Sequence, residues 1–339
     1  MERLKYHLVA FVVVAIWGST FVFTKMLLLA GLSPAQIFTL RFIIAYVLLL
    51  GYSFLRHRVS VSPPKLGGGR GGLNKRKQEA DQTSSDSPYS RGENKSPFRW
   101  FCNCWQDELL MLALGLTGGS LYFLTENTAM NYTTTTNTSL IVSLSPLIAT
   151  FLISLFFKSQ RLNRIQTVGT LMAALGVVVV VLNGRFVLHL SPLGDSLAFG
   201  AALCWGFYSL LMIPACLRYD TLFITRKVFI YGLLTIIPYF IFRPDEASIF
   251  TTSILQSFNL SILLNLLFLG CVASMGCFLA WNWVLKKLGA VTATNYVYFN
   301  PVTTILFAWA ILSEQITVYF LIGTILILSG MYLADKRKE

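Results

Sequence analysis

The sequence predicts an all-α integral membrane protein of ten transmembrane helices, arranged as two inverted five-helix repeats. Three observations carry that prediction. The chain of 339 residues is 55% hydrophobic and only 12% charged, with a mean hydropathy of +0.64, whereas a soluble domain carries about 25% charged residues. Its apolar residues fall into runs long enough to cross a bilayer, and short motifs recur in the same order in both halves.

A bilayer core of about 30 Å takes about 20 mostly apolar residues per helix, because only helices or closed barrels satisfy the backbone in lipid. The runs that qualify are Tyr6–Leu29, Pro34–Leu55, Glu108–Met130, Thr134–Phe157, Ile165–Leu182, Leu193–Ala215, Leu222–Phe242, Leu260–Trp283, Ala290–Leu312 and Val318–Ala334. The first follows a mildly basic Met1-Glu2-Arg3-Leu4-Lys5 and is too long for a signal-peptide core, so it reads as an uncleaved helix.

Connections are short except for 56–105, which holds a glycine tract from Gly67 to Gly72, the basic Lys75-Arg76-Lys77 and a Ser/Asp/Pro run. Such a segment has too little apolar area to offset chain entropy and is expected to be a disordered, basic cytoplasmic insert. The glycine tract lacks the Gly-Lys-Ser/Thr ending of a phosphate loop. Lysine and arginine gather on one side of the ten-helix arrangement: Arg3 and Lys5, the insert, Lys158/Arg161/Arg164, Arg218/Arg226/Lys227, Lys286/Lys287 and Lys336/Arg337/Lys338. By the positive-inside rule both termini are cytoplasmic, in the cytoplasmic (inner) membrane. The net charge of +12 is therefore a topology signal, and nucleic acid is not an expected partner, since its binders carry contiguous basic faces.

The halves repeat. Trp17-Gly18 recurs 188 residues on as Trp205-Gly206; Asn127 and Pro146 recur 155 residues on as Asn282 and Pro301; Gly169 and Gly176 recur 154 residues on as Gly323 and Gly330. The drop from 188 to 155 leaves 33 extra residues in the first half, where the polar insert lies. Five helices per unit is an odd number, so the second unit enters the membrane with opposite polarity. The charges invert accordingly. The link after the third helix is uncharged in the first half and carries Lys286-Lys287 in the second, and the next link changes from Lys158/Arg161/Arg164 to Glu314. The units are 1–183 and 184–339. An inverted repeat lets one central site open to either side in turn, the architecture of alternating-access transporters.

Ionisable residues within helices are functional candidates by default. Lys25, Arg41 and Glu126 fall at similar depth and form a predicted charge cluster, either a structural salt bridge or a coupling gate. The predicted substrate-binding residues are Trp17, Thr20, Tyr122 and Ser143 in the first half, with Trp205, Tyr208, Asn282, Asn295 and Tyr298 in the second. Trp17, Tyr208, Asn295 and Tyr298 lie near mid-helix, where interface anchoring does not apply. Asn300 belongs to the same polar set. Pro146 and Pro301 interrupt hydrogen bonding at matched positions and are candidate hinges.

Trp17-Gly18-Ser19-Thr20-Phe21 with Lys25, Leu40-Arg41-Phe42, Leu144-Ser145-Pro146, Asn300-Pro301, and Ser313-Glu314-Gln315 followed by Gly323 and Gly330 resemble the EamA family of the drug/metabolite transporter superfamily. The resemblance covers nearly all the chain outside 56–105. It implies a ten-helix inner-membrane carrier, usually bacterial and often an exporter of amino acids or related metabolites, with a central cavity lined by both halves. Two positions depart from the family pattern: Gln160 stands where the second half has Glu314, and Ile213 where the first has Lys25.

The function expected is secondary transport, with export favoured; the expected partners are a small-molecule substrate and the lipid bilayer, with a homodimer left open. Two other classes compete. A receptor or scaffold would use the 56–105 loop for docking. A membrane-embedded enzyme fits less well, since neither His-Glu-x-x-His nor Gly-x-Ser-x-Gly occurs. No catalytic residue, metal site or cofactor is expected; the lone Cys102-x-Cys104 pair does not complete a four-ligand zinc site.

Overall fold

The computed structural model describes residues 2–61, 99–157, 162–182, 191–247, 259–312 and 318–335, and every regular element among them is helical. Helix α1 (Glu2–Leu29) turns into α2 (Pro34–Val61) through Gly31, whose φ of 95° suits a residue without a Cβ. Next come α3 (Trp105–Gly115), a π-helical turn at Leu116–Ser120 and α4 (Leu121–Tyr132). A second stretch holds α5 (Thr135–Val142) and α6 (Ser145–Phe156), followed by α7 (Arg164–Leu182). The later part contains α8 (Pro192–Arg218), α9 (Thr221–Thr235), and the short α10 (Ile237–Phe242) and α11 (Pro244–Ala247). Then follow α12 (Leu260–Leu267), a π-helical segment at Phe268–Gly276, and α13 (Cys277–Leu288). Last are α14 (Ala290–Asn295), a 3-10 turn at Tyr296–Phe299, α15 (Asn300–Leu312) and α16 (Val318–Asp335). Side chains of Thr134, Ser191, Asp220 and Asn259 cap the helices they precede, each accepting from an N–H three residues on.

Among the described residues, seven helical rods are long and apolar enough to cross a membrane: Leu4–Leu29, Pro34–Leu55, Trp105–Tyr132, Asn137–Phe156, Pro192–Arg218, Thr221–Phe242 and Leu260–Leu288. The remaining predicted runs correspond to two shorter apolar helices, Arg164–Val179 and Val318–Ala334, and to the stretch 290–312, which the 3-10 turn divides. Outward faces are apolar: on α7, Leu171 and Leu175 are both more than half exposed, as suits lipid rather than water.

Interruptions occur at corresponding places. Both the third and the eighth predicted runs contain a π-helical segment, and a break precedes each of the prolines Pro146 and Pro301. Each proline lies in the first turn of the helix that follows, where its missing N–H would have had no partner anyway. Contacts recur with the same offsets. A Cβ on Gly18 would collide with the Thr303 side chain, and one on Gly206 would lie 2.6 Å from Ile148 Cγ2; Ile148 and Thr303 are 155 residues apart. Helices α7 and α16 approach backbone to backbone, so that a Cβ on Gly330 would collide with the Ala173 nitrogen, in the manner of small-residue helix pairs in membranes.

The segment 56–105, expected to be disordered, is structured at both ends. Helix α2 continues to Val61, and residues 99–104 fold over the starts of α3 and α9, where aromatic side chains give this part of the segment something to bury. Trp100 lies under the Arg226 guanidinium at 5.7 Å, and Phe101 under the Lys227 ammonium at 5.3 Å. Arg226 also donates to the Arg99 carbonyl. Beneath this strap, Lys227 Nζ meets both Glu108 oxygens at 2.8 Å, and Glu108 accepts further bonds from the Tyr231 hydroxyl (2.5 Å) and the Cys102 N–H (2.7 Å). Asp107 accepts from the Tyr219 hydroxyl at 2.6 Å and pairs with Arg218. The glycine tract lies in 62–98, outside the described residues.

Candidate functional site

A narrow cavity of about 20 Å³ lies where α1, α2, α4, α8 and α13 meet the two interrupted stretches. Its lining side chains nearly touch, so a ligand larger than a few waters requires them to part. Much of the wall consists of residues paired by the same sequence offsets as the recurring motifs: Trp17 with Trp205, Phe123 with Phe278, Val142 with Val297, and Ser145 with Asn300. The first pair carries the 188-residue offset and the other three the 155-residue offset. Val142 and Ser145 flank the break before Pro146, and Val297 and Asn300 flank the corresponding site before Pro301. The Trp17 and Trp205 rings meet edge to face at 5.2 Å, and Phe278 packs against both.

The rest of the lining comes from the first half alone: Thr20 and Phe21 on α1, Arg41 on α2, and Tyr122 and Glu126 on α4. At the offsets above, the counterparts of Arg41, Tyr122 and Glu126 are Phe229, Cys277 and Trp281. All the charge in the cavity therefore belongs to one half. Arg41 is 1% exposed; its Nε donates to Ser274 Oγ at 2.9 Å and its guanidinium lies 4.3 Å from the Phe123 ring centre. Glu126 is also buried and accepts the Tyr122 hydroxyl at 2.7 Å. Among the described residues neither has an opposite charge within 4 Å. A guanidinium and a carboxyl group thus share one cavity without a direct ion pair, and burying either in its charged form is expensive in low dielectric.

Lys25 leaves the predicted cluster. Its Nζ donates to the Met130 carbonyl at 2.6 Å, near the C-terminal end of α4, where a cation suits the helix dipole. Of the predicted substrate-binding residues, Trp17, Thr20, Tyr122 and Trp205 line the cavity. Ser143, Tyr208, Asn282, Asn295 and Tyr298 are buried but not among the lining residues. Tyr208 donates to Asn282 Oδ1 at 2.6 Å, and Asn282 Nδ2 to Thr225 Oγ1 at 2.9 Å, which ties α8, α13 and α9 together. Ser143 bonds back to the Ser139 carbonyl at 2.7 Å. Helical spacing shows that polar residues share a stripe without showing which neighbour the stripe meets. Phe123, Phe278, Val142, Val297 and Ser145 escaped sequence reasoning because none is an unusual residue in a membrane helix. The 155-residue offset applied to the whole chain would have paired them. Among the described residues no three His, Cys, Asp or Glu side chains group as metal ligands.

Comparison with known proteins decides the class. The EamA-like transporter family matches residues 89–182 and 192–334. This chain belongs to the EamA-like transporter family. It is similar to an "Uncharacterized transporter" of Archaeoglobus fulgidus, 25% identical over 338 residues, which are 99% of this chain and 99% of that protein. It is also similar to a "Probable amino-acid metabolite efflux pump" of Escherichia coli, 24% identical over 66% of this chain and 75% of that one. A protein of known crystal structure shares the fold with a TM-score of 0.63 at 19% identity, over 98% of this chain and 97% of its own. As an EamA-like protein with several apolar helices, the chain is a multi-pass membrane transporter.

Proposed function

We propose that this EamA-like protein is a secondary transporter that exports an amino acid or a related small zwitterion across the cytoplasmic membrane by alternating access. In this reading ten crossings form two inverted halves, 1–183 and 184–339, with both termini cytoplasmic. The observation that carries it is the cavity itself: a wall of repeat-related residues, Trp17 with Trp205 and Ser145 with Asn300, that also holds Arg41 and Glu126. A wall related by an inverted repeat presents similar surfaces to either side, so one site can serve both openings. Arg41 would take a carboxylate in bidentate fashion, Glu126 an ammonium or a proton, and the indoles the apolar body. The interruptions before Pro146 and Pro301 are the places where the halves would bend. The name of the E. coli relative favours export.

The test is reconstitution of the full chain in proteoliposomes loaded with mixed amino acids, followed by uptake of each labelled amino acid in exchange. Exchange by the wild type, lost in Arg41→Leu at unchanged protein content, is the expected result. Exchange that is indifferent to Arg41 sinks the assignment of this cavity. Metabolite profiling of cells and medium with and without the chain gives the direction.

A further inference from the structure

The polar atoms of the cavity divide into those already bonded and those that are not. Thr20 Oγ1 donates to the Trp17 carbonyl at 2.7 Å, Tyr122 to Glu126 at 2.7 Å, and Arg41 Nε to Ser274 at 2.9 Å. Three others, Trp205 Nε1, Ser145 Oγ and Asn300 Oδ1, are buried without any partner among the described residues. Their residues are 4%, 0% and 4% exposed, and all three line the cavity. Buried polar groups are nearly always paired, so an orphan at a cavity wall points to a missing ligand.

The internal repeat sharpens the point. Trp17, the counterpart of Trp205, spends its indole N–H on the Ala273 carbonyl at 3.0 Å, within the π-helical segment of the later half. The position corresponding to Ala273 is Gly118 in the π-helical turn of the first half, and its carbonyl receives no such bond from Trp205. Ser145 and Asn300 are themselves counterparts and start the two helices that follow the matched breaks. One indole is thus structural and the other is free to meet a ligand, in a cavity also lined by two polar groups at the points where the wall is interrupted.

We infer that Trp205, Ser145 and Asn300 form an uncharged subsite that recognises an amide group on the substrate. A donor (indole N–H), an acceptor (Asn300 Oδ1) and a hydroxyl able to do either complement one C=O and one N–H presented together, as in a carboxamide. The same cavity is lined by Trp17, Phe123 and Phe278, aromatic side chains that can pack against a flat amide. The inference rests on the zwitterion reading of the cavity and narrows it to amide-bearing zwitterions.

The test is equilibrium binding of L-glutamine and L-norleucine to the full chain in lipid nanodiscs, since the two share both charged ends and a similar length but differ in the amide. A site built to hydrogen-bond a group strongly rejects an analogue lacking it, so the wild type is expected to prefer glutamine by roughly tenfold or more. Ser145→Ala and Asn300→Leu should each reduce that preference while norleucine still binds, with thermal unfolding of each variant as a check on folding. Ser145→Ala is the smaller change and decides the matter if Asn300→Leu does not fold. Equal affinity for the two ligands in the wild type, or a preference that survives both substitutions, overturns the subsite alone. Binding of neither ligand overturns the zwitterion reading and the subsite with it.

Discussion

Trp17 and Trp205, which share the 188-residue offset of the recurring Trp-Gly motif, meet at 5.2 Å with ring planes 88° apart, yet of their two indole N–H groups only that of Trp17 has a hydrogen-bond partner among the described residues. Phenylalanine at either site removes a similar amount of ring, so the difference between the two variants isolates the bond to the Ala273 carbonyl. Trp17→Phe is expected to be less stable than Trp205→Phe by about 1 kcal/mol, the net value of one buried hydrogen bond. Thermal unfolding in detergent measures it. Equal destabilisation would mean that the bond contributes nothing.

Glu126→Gln keeps the acceptor that Tyr122 uses and removes the charge. With no cation within 4 Å of Glu126 among the described residues, its carboxylate is not held by a salt bridge and the substitution should leave protein abundance within about twofold, a small free-energy change. Concentrative export should be lost while substrate exchange survives, as expected for a residue that couples transport to protons. A variant that still concentrates substrate, with an unchanged pH profile, removes Glu126 from the coupling role.

Glu108 and Lys227 are a buried pair beneath the 99–104 strap, with side chains 12% and 6% exposed. Lys227→Met leaves a buried carboxylate without its cation and should cost about 3–5 kcal/mol, whereas Glu108→Gln with Lys227→Met together should recover most of that loss. Denaturation of the single and double variants in micelles checks the coupling. Additive losses would mean that the two groups do not interact.

The strap also predicts unequal thiols. Cys104 is exposed; the Cys102 thiol is pushed up to about 11, first by burial and then by the Glu108 carboxylate beside it. Since the thiolate is the nucleophile, single-cysteine chains at pH 7.5 should label with maleimide at least about tenfold faster at Cys104. Labelling of Cys102 should climb about tenfold per pH unit as its thiolate fraction grows. An impermeant reagent should reach Cys104 from the cytoplasmic side only. Fast labelling of Cys102 at neutral pH would show that the strap does not cover it, and labelling of Cys104 from outside would reverse the proposed orientation.

Much of the architecture is legible in one dimension, because the bilayer imposes a length and a hydropathy on each crossing. The runs from Tyr6 to Ala334, the recurrence of Trp17-Gly18 at Trp205-Gly206, and the breaks near Pro146 and Pro301 follow from composition and spacing alone. Membership in a transporter family follows from the same motifs. Which polar stripe faces the cavity was decided only by tertiary packing. Tyr208 and Asn282 satisfy each other across a helix contact, while Ser145 and Asn300, no more conspicuous in the sequence, face the cavity. Lys25 found a helix-end carbonyl in place of a carboxylate, and aromatic contacts drew residues 99–104 out of an otherwise polar insert. The physical reason is that helical periodicity constrains the angle of each side chain about its own axis, whereas the identity of its neighbour depends on how the helices are rotated and spaced, which the close approaches at Gly18, Gly206 and Gly330 fix in three dimensions.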